Sequence, residues 1–270
     1  MKPAILVGRL SPLLPALQCP RCGAAFALTE QSLICESGHC YDLSRRGYVN
    51  LAPDHRQSGD KYDVALFESR GRVFAGGFYA PVRDALCALL DGRSESFTLV
   101  DAGCGEGSLL GALREESRPC AGVDLSRAAV RIAASAYRDI PFAVADVCSL
   151  PLAAGAAACV VNMLTPANYA EFARVLRPGG RLIKLVPNAQ HLAQIRSLAG
   201  KAPYTREAET TLEGFSRLFR LTERTCVRYE VECGAELASL VFRMTPLTAG
   251  ETAPACGPMR VTVDITLLVG

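Results

Sequence analysis

No run of about 20 uncharged apolar residues occurs in the chain, so no membrane-spanning helix is expected and no membrane partner is proposed. Net charge is also scarce. Across 270 residues, 29 Lys and Arg stand against 27 Asp and Glu, a balance of +2. That is too little to announce a nucleic-acid partner, and any basic surface must be local. Low hydrophobicity with high net charge, the mark of intrinsic disorder, is missing too, since 50% of the residues are hydrophobic and 21% charged. The 23 glycines keep no strict period, which excludes a collagen-like protein. There is no internal repeat, no low-complexity tract and no Gly-Lys-Ser/Thr phosphate loop. What remains is enough chain for one large domain, or one domain plus a small module.

Residues 1–18 are apolar, but Arg9, Pro12 and Pro15 interrupt the run and no small-residue cleavage site follows. They read as a leader extension whose structure the sequence does not specify. Of 12 cysteines, Cys19, Cys22, Cys35 and Cys40 cluster near the start. The others, at 87, 104, 120, 148, 159, 226, 233 and 256, are scattered singly, mostly inside apolar runs. In a long chain with ample core these eight are expected to be small buried hydrophobes in a reducing cytoplasm rather than disulfide partners.

The cluster has a spacing of its own. Cys19-Pro20-Arg21-Cys22 is followed by twelve residues and then Cys35-Glu36-Ser37-Gly38-His39-Cys40. Zinc takes four soft or borderline ligands in a tetrahedron, and two-residue knuckles give pairs the right bite. Cys19, Cys22 and Cys35 supply three ligands, and His39 and Cys40 compete for the fourth place. A redox Cys-x-x-Cys would sit on a βαβ pattern, which is absent here. A thirty-residue segment cannot build its own core, so a metal would hold it together, and the role is structural.

Residues 19–50 thus form a zinc-binding module. Residues 51–79 form a polar connector that becomes helical, with Leu66, Phe67, Arg70 and Phe74 at helical spacing and Gly76-Gly77 ending the helix. From residue 80 to 270 helix and strand patterns alternate. Helices are expected at 81–90, 108–114, 126–137 and 168–176, and strands at 97–101, 120–124, 141–146, 157–164 and 181–186. The pattern implies an α/β fold with a mostly parallel sheet covered by helices on both faces. Strands at 226–233 and 261–269 are expected to form a late antiparallel pair at one edge.

The first strand of this region runs into Asp101-Ala102-Gly103-Cys104-Gly105-Glu106-Gly107. Glycines at alternating positions let a backbone approach a ligand closely and adopt positive φ. The spacing is not the Gly-x-Gly-x-x-Gly of a dinucleotide site. The next strand ends at Asp124, about 20 residues on, where nucleotide-binding α/β folds place the acceptor for ribose hydroxyls. With Ala145-Asp146 after the third strand, and Phe172 to Leu182 leading into the fifth, these motifs resemble the class I S-adenosylmethionine-dependent methyltransferases, a Rossmann-like fold. The resemblance implies S-adenosylmethionine as cofactor. It implies that Gly103, Gly105 and Gly107 shape the pocket around the methionine moiety and that Asp101 orders the loop from beneath. By the same resemblance Asp124 binds the ribose and Asp146 faces the adenine.

The order of zinc knuckle, Arg45-Arg46-Gly47-Tyr48-Val49-Asn50-Leu51, short helix and methyltransferase domain is more specific than either half. Over residues 19–270 it resembles the bacterial 23S ribosomal RNA guanine-N1 methyltransferases. That resemblance also rests on Gly77-Phe78-Tyr79-Ala80-Pro81, His191-Leu192, Leu212 to Phe215 and Met244-Thr245-Pro246. It implies Cys19, Cys22, Cys35 and His39 as structural zinc ligands, with Cys40 as the alternative to His39, and 23S ribosomal RNA as partner. The leader is extra. The family often has Gly-His-Tyr at 77–79 and Gly-Asp-Ser at 59–61, where this chain has Phe78 and Lys61, which leaves the target guanine open.

Charge agrees with an RNA substrate. Residues 174–228 hold eleven Arg and Lys (174, 177, 181, 184, 196, 201, 206, 217, 220, 224, 228) and four acids (207, 209, 213, 223), whereas the rest of the chain is net acidic. Arg45, Arg46 and Tyr48 are candidates to contact RNA backbone and stack on a base. Transfer to guanine N1 requires that its proton be removed by a side chain or by water, and that the base leave its stack. Asn162, Thr165 and His191 are candidates near the pocket mouth. The stretch Asn162-Met163-Leu164-Thr165-Pro166 is not the Asn/Asp-Pro-Pro-aromatic tetrad of exocyclic amine methylation. A cytoplasmic enzyme is expected, and a homodimer is compatible with the sequence. Two other functions stay open: a small-molecule methyltransferase with a structural zinc module, and a non-catalytic RNA- or ribosome-binding factor.

Overall fold

The computed structural model describes residues 3–55, 63–90, 98–114, 119–202, 204, 207–248, 251 and 257–270. Gly59, Asp60, Lys61, Phe97, Arg206 and Cys256 lie outside the described residues. In chain order the elements begin with α1 (Pro3–Leu10) and a 3-10 helix (Ser11–Ala16). Four short strands follow, β1 (Phe26–Leu28), β2 (Ser32–Cys35), β3 (Cys40–Asp42) and β4 (Tyr48–Asn50). Next come α2 (Val64–Ala75), α3 (Ala80–Leu90), β5 (Leu99–Ala102), α4 (Ser108–Leu113), β6 (Cys120–Asp124), α5 (Arg127–Ala136) and β7 (Phe142–Val144). The chain continues with β8 (Ala157–Met163), α6 (Tyr169–Val175), β9 (Leu176–Pro187), α7 (Ala193–Leu198) and α8 (Glu207–Ser216). It closes with β10 (Glu223–Cys233), α9 (Ala235–Arg243) and β11 (Met259–Val269).

These elements form two compact units. The first comprises residues 1–57 and 94–183, the second 58–93 and 184–270. The cut differs from the segments read along the sequence, since both the connector 51–79 and the segment 80–270 divide between the two units.

In the first unit β1, β2 and β3 make a small antiparallel sheet. Parallel strands in the order β8-β5-β6-β7-β4 make the main sheet, and β9 lies next to β8. The central strand β5 is buried at every position, as a strand with a neighbour on each side and cover on both faces demands. Side chains place the helix starts. Ser126 Oγ accepts the Ala129 N–H to open α5, and Asn168 Oδ1 accepts the Glu171 N–H to open α6. Two features of this unit were not legible in the sequence. The N-terminal segment is built in, with Leu6, Leu10, Leu13 and Leu17 buried and Gln18 donating its N–H to the Pro151 carbonyl at 3.0 Å. The strand β4, at the end of the knuckle region, pairs in parallel with β7.

In the second unit β10 and β11 are antiparallel over eleven residue pairs, from Glu223 opposite Val269 to Cys233 opposite Met259. The strand β11 lies between β9 and β10, so β10 is an edge strand, as expected. Asp63 caps α2 by accepting the Leu66 N–H at 2.7 Å, and Gly76 ends it. No single helix among the described residues is long and apolar enough to cross a membrane.

The scattered cysteines divide. Cys104, Cys120, Cys159 and Cys233 are buried and Cys87 is half-buried, but Cys148 and Cys226 are exposed. Cys226 is exposed because alternate residues of the edge strand β10 face outward. Cys148 sits in the turn after β7.

Candidate functional site

The ligand atoms of Cys19, Cys22, Cys35 and His39 all lie within 4.8 Å of one another. A tetrahedral zinc with bonds of about 2.3 Å to sulfur and 2.0–2.1 Å to nitrogen sets sulfur pairs about 3.8 Å apart and sulfur–nitrogen pairs about 3.5 Å apart. Cys22 Sγ and Cys35 Sγ are 3.7 Å apart, and His39 Nδ1 is 3.6 Å from Cys19 Sγ and 3.4 Å from Cys35 Sγ. The chemistry and spacing of the four residues therefore suit one zinc ion. Tight turns build the site: the Gly23 N–H donates to the Cys19 carbonyl, and the Gly38 N–H to the Cys35 carbonyl. Alternation along β3 decides between His39 and Cys40. Tyr41 is buried with its hydroxyl 3.6 Å from Cys19 Sγ, so Cys40 and Asp42 point to the opposite, exposed side. Burial acts to raise the Cys19 thiol. The Tyr41 hydroxyl and the N–H groups of Arg21 and Cys22 outweigh it and bring the thiol down to about 7, which favours the thiolate that a metal needs. Nothing in the spacing of the cysteines marked Tyr41 as a neighbour of the cluster.

The turn after β5 is the second site in this unit. Gly103, Gly105 and Gly107 all have positive φ, at 88°, 56° and 82°. At Gly103 a Cβ would stand 2.7 Å from Thr165 Oγ1, so any side chain there would force Thr165 or the turn to shift. Asn162 sets that approach. Its buried amide donates to the Ala102 carbonyl at 2.6 Å, to Thr165 Oγ1 at 2.7 Å and to the Pro166 carbonyl at 3.3 Å. These bonds draw the 162–166 segment against the end of β5 and hold Leu164 at a φ of 53°, a left-handed conformation that costs roughly 1–2 kcal/mol. Asn162 and Thr165, proposed from sequence as catalytic candidates, thus lie against the glycine turn.

The acids divide the work differently from the sequence-based expectation. Asp124 ties the turn, accepting the Gly105 N–H at 2.9 Å on Oδ2 and the Ser126 N–H at 2.8 Å on Oδ1. Asp101 was expected to order the loop. Its carboxylate is buried and both oxygens lack a hydrogen-bond partner among the described residues. Burial, reinforced by the nearby charges of Asp124 and Glu106, raises its pKa to about 8. A buried carboxyl without donors is costly, and a bound cation with N–H groups would satisfy it. Asp146 is half-exposed, and its Oδ1 accepts the Cys148 N–H at 2.8 Å. The acid set and the glycine turn suit a cofactor that carries an ammonium, a ribose and an adenine, as S-adenosylmethionine does.

Arg45 and Arg46 are exposed in the turn before β4, and Tyr48 is half-buried at its start. His191 belongs to the second unit. It is buried, its Nδ1 accepts the Asp264 N–H at 3.3 Å, and its ring lies 6.4 Å from that of Tyr79. Burial lowers its pKa to about 4. Asp264 and Asn188 extend the network, with Asn188 donating to Asp264 Oδ1 at 2.8 Å and accepting from Thr266 Oγ1 at 3.1 Å. The sequence did not single out this polar group, because its members are spread over Asn188 to Thr266.

Comparison with known proteins matches residues 17–59 to the family model described as RlmA, N-terminal, a zinc ribbon, and residues 99–180 to a methyltransferase domain. YxjB of Bacillus subtilis (strain 168), provisionally named a 23S rRNA (guanine-N1)-methyltransferase, is 33% identical, covering 94% of this chain and 96% of its own. The 23S rRNA (guanine(748)-N(1))-methyltransferase of Streptomyces fradiae is 37% identical over 68% of each chain. Among solved structures, the YcgJ protein of Bacillus subtilis has a TM-score of 0.50 at 16% identity, covering 70% of this chain and 96% of that one. That likeness concerns the fold alone.

Proposed function

This chain belongs to the family of 23S rRNA (guanine-N1)-methyltransferases, and from that membership we propose that it methylates N1 of a guanine in 23S ribosomal RNA. The observation that carries the reading is the match to a relative of that name over 94% of the chain, which spans the metal cluster and the glycine turn together. The cofactors are S-adenosylmethionine and a structural zinc ion.

When bound, S-adenosylmethionine supplies an electrophilic methyl group on a sulfonium. Asp101 offers two unpartnered carboxylate oxygens to the ammonium of the methionine moiety. Gly103, Gly105 and Gly107 let that moiety approach the backbone. Asp124 fixes the turn with one bond from each oxygen, and its remaining lone pairs suit the ribose hydroxyls. Asp146 is the residue we assign to the adenine. Asn162 and Thr165 hold the turn in register, so that orientation supplies much of the rate. Cys19, Cys22, Cys35 and His39 hold zinc, which cross-links β1–β3 and thereby presents Arg45, Arg46 and Tyr48 to RNA. None of Asn162, Thr165 and His191 is assigned as general base. The amide of Asn162 serves three acceptors, the hydroxyl of Thr165 takes part in the same contacts, and His191 is buried and neutral near pH 7. In this reading water takes the guanine N1 proton. The enzyme works in the cytoplasm, with its RNA.

The test is transfer of labelled methyl from S-adenosylmethionine to unmodified 23S RNA. Label in RNA supports the reading. Turnover of a small acceptor with no RNA labelling would replace it by the small-molecule alternative. Failure to bind the cofactor would leave a non-catalytic binding factor.

A further inference from the structure

Most of the eleven basic residues from Arg174 to Arg228 are buried, have partners or lie outside the described residues. Arg174 is occupied by Glu171 and by the carbonyls of Leu150 and Leu152. Lys184 is buried. Arg196 donates to the Ala202 carbonyl and lies 3.8 Å from the Tyr204 ring centre, and Lys201 pairs with Glu251 at 3.3 Å. Arg177 and Arg181 have partners of their own, and Arg206 is outside the described residues. The remaining four are Arg217, Arg220, Arg224 and Arg228. All four are exposed, and none of their side chains has a hydrogen bond, ion pair or ring contact among the described residues.

These four lie on one stretch of the second unit. Arg217 and Arg220 are in the turn after α8, and Arg224 and Arg228 are on the edge strand β10. Residues four apart on a strand share a face, here about 13 Å from one guanidinium-bearing position to the next. One acid, Glu223, falls within residues 217–228. The row then ends. Further along the same face Arg260 is neutralised by Glu232 at 2.6 Å and Glu230 at 3.4 Å. Exposed leucines interleave with the arginines, Leu218 at 55% and Leu221 at 37% exposure.

A row of guanidinium groups with no internal acceptor keeps every N–H donor for an outside partner and repels itself until a polyanion arrives. Guanidinium matches phosphate oxygens bidentately, and apolar side chains between the charges suit ribose and base faces. We propose that Arg217, Arg220, Arg224 and Arg228 form a phosphate-binding row for the sugar–phosphate backbone of the RNA substrate, with Leu218 and Leu221 against its sugars or bases. The proposal rests on RNA being the substrate, and it adds further contact residues to Arg45, Arg46 and Tyr48.

The experiment uses the full chain and an in vitro transcript of 23S RNA, with affinity measured from 50 to 200 mM KCl. Replacing the four arginines by Gln should flatten the slope of log affinity against log salt by about 3, because each phosphate contact contributes about 0.7–0.9. Affinity at 100 mM KCl should fall at least tenfold. Replacement by Lys should retain most of the slope, and S-adenosylmethionine affinity should be unchanged in both variants. Wild-type slope and affinity in the Gln variant, with the wild-type protein binding and methylating the transcript, would overturn the row and leave the RNA reading standing. If the wild-type protein neither bound nor methylated RNA, the substrate reading itself would fall. Vesicles of phosphatidylserine and phosphatidylcholine are the remaining arm. Binding to them that the Gln variant loses, with RNA affinity unaltered, would reassign the row to a membrane surface and also overturn the proposal.

Discussion

Replacing Gly103 by Ala should damage the cofactor turn through two separable effects. The first is conformational: φ is 88°, where an L side chain costs roughly 1–2 kcal/mol. The second is steric. The new Cβ would meet Thr165 Oγ1 at 2.7 Å, Cγ2 at 3.0 Å and Cβ at 3.1 Å. Thr165 cannot simply swing aside, because Asn162 Nδ2 holds its Oγ1 at 2.7 Å. Overpacking of this kind costs about 1–3 kcal/mol. Together the loss is about 2–5 kcal/mol, so a domain of ordinary stability still folds but less securely. Thr165→Ala removes two of the three clashing atoms and itself costs about 1 kcal/mol in lost hydrogen bonding. The double variant should therefore recover the steric part and keep the conformational part, a coupling of about 1–3 kcal/mol. Urea unfolding of the four proteins measures the cycle, and calorimetric titration with S-adenosylmethionine should show Gly103→Ala weakened at least tenfold and partly rescued. Strict additivity of the two substitutions would refute the close approach on which the reasoning depends.

Three other outcomes follow from the same structure. Zinc content, read by elemental analysis, should be one ion per chain in the wild type and in Cys40→Ser and should fall in His39→Ala; loss of zinc from Cys40→Ser would contradict the ligand set. Asp101 holds its proton up to about pH 8 in the folded protein, so binding a cofactor whose ammonium stabilises the carboxylate should release a proton near pH 7. Titration in buffers of different ionisation enthalpy would detect it, and Asp101→Asn should abolish it; buffer-independent heats in the wild type would refute the contact. The pKa of His191 is lowered to about 4 from an ordinary value near 6.5, so the unfolded chain binds the proton first as pH falls. Stability should therefore decline from about pH 6.5 towards pH 4, and His191→Gln should flatten that decline in urea melts; an unchanged pH profile in the variant would assign the loss to other groups.

What was legible in the sequence was local and periodic. The helices expected at 126–137 and 168–176, the glycine turn after β5 and the late antiparallel pair each depend on residues close together or on simple alternation, and each is found. The knuckle spacing pointed to three ligands. The fourth became clear only through β3, where Tyr41 turns inward and carries Cys40 outward. Tertiary contacts were hidden. Asn162 reaches Ala102 across 60 residues, and Thr165 abuts Gly103, so two residues chosen as catalytic candidates also contact the loop. The family resemblance assigned Asp101 the ordering of that loop; the hydrogen bond to the Gly105 N–H belongs to Asp124, and the Asp101 carboxylate has no hydrogen-bond partner among the described residues. The N-terminal segment read as an extension because Arg9, Pro12 and Pro15 interrupt its apolar run, yet Leu6, Leu10, Leu13 and Leu17 are buried. The basic surplus was visible as a count, but which basic side chains remain available depends on partners as remote as Glu251 for Lys201.

The most direct test of the central claim is a primer-extension map of unmodified 23S RNA after incubation with the protein and S-adenosylmethionine. Methylation at N1 blocks Watson–Crick pairing, so the account predicts one new stop at a guanine, dependent on cofactor and lost in Asp124→Ala. Labelled RNA without any stop would place the methyl on an atom outside the pairing edge and contradict guanine N1 as the target.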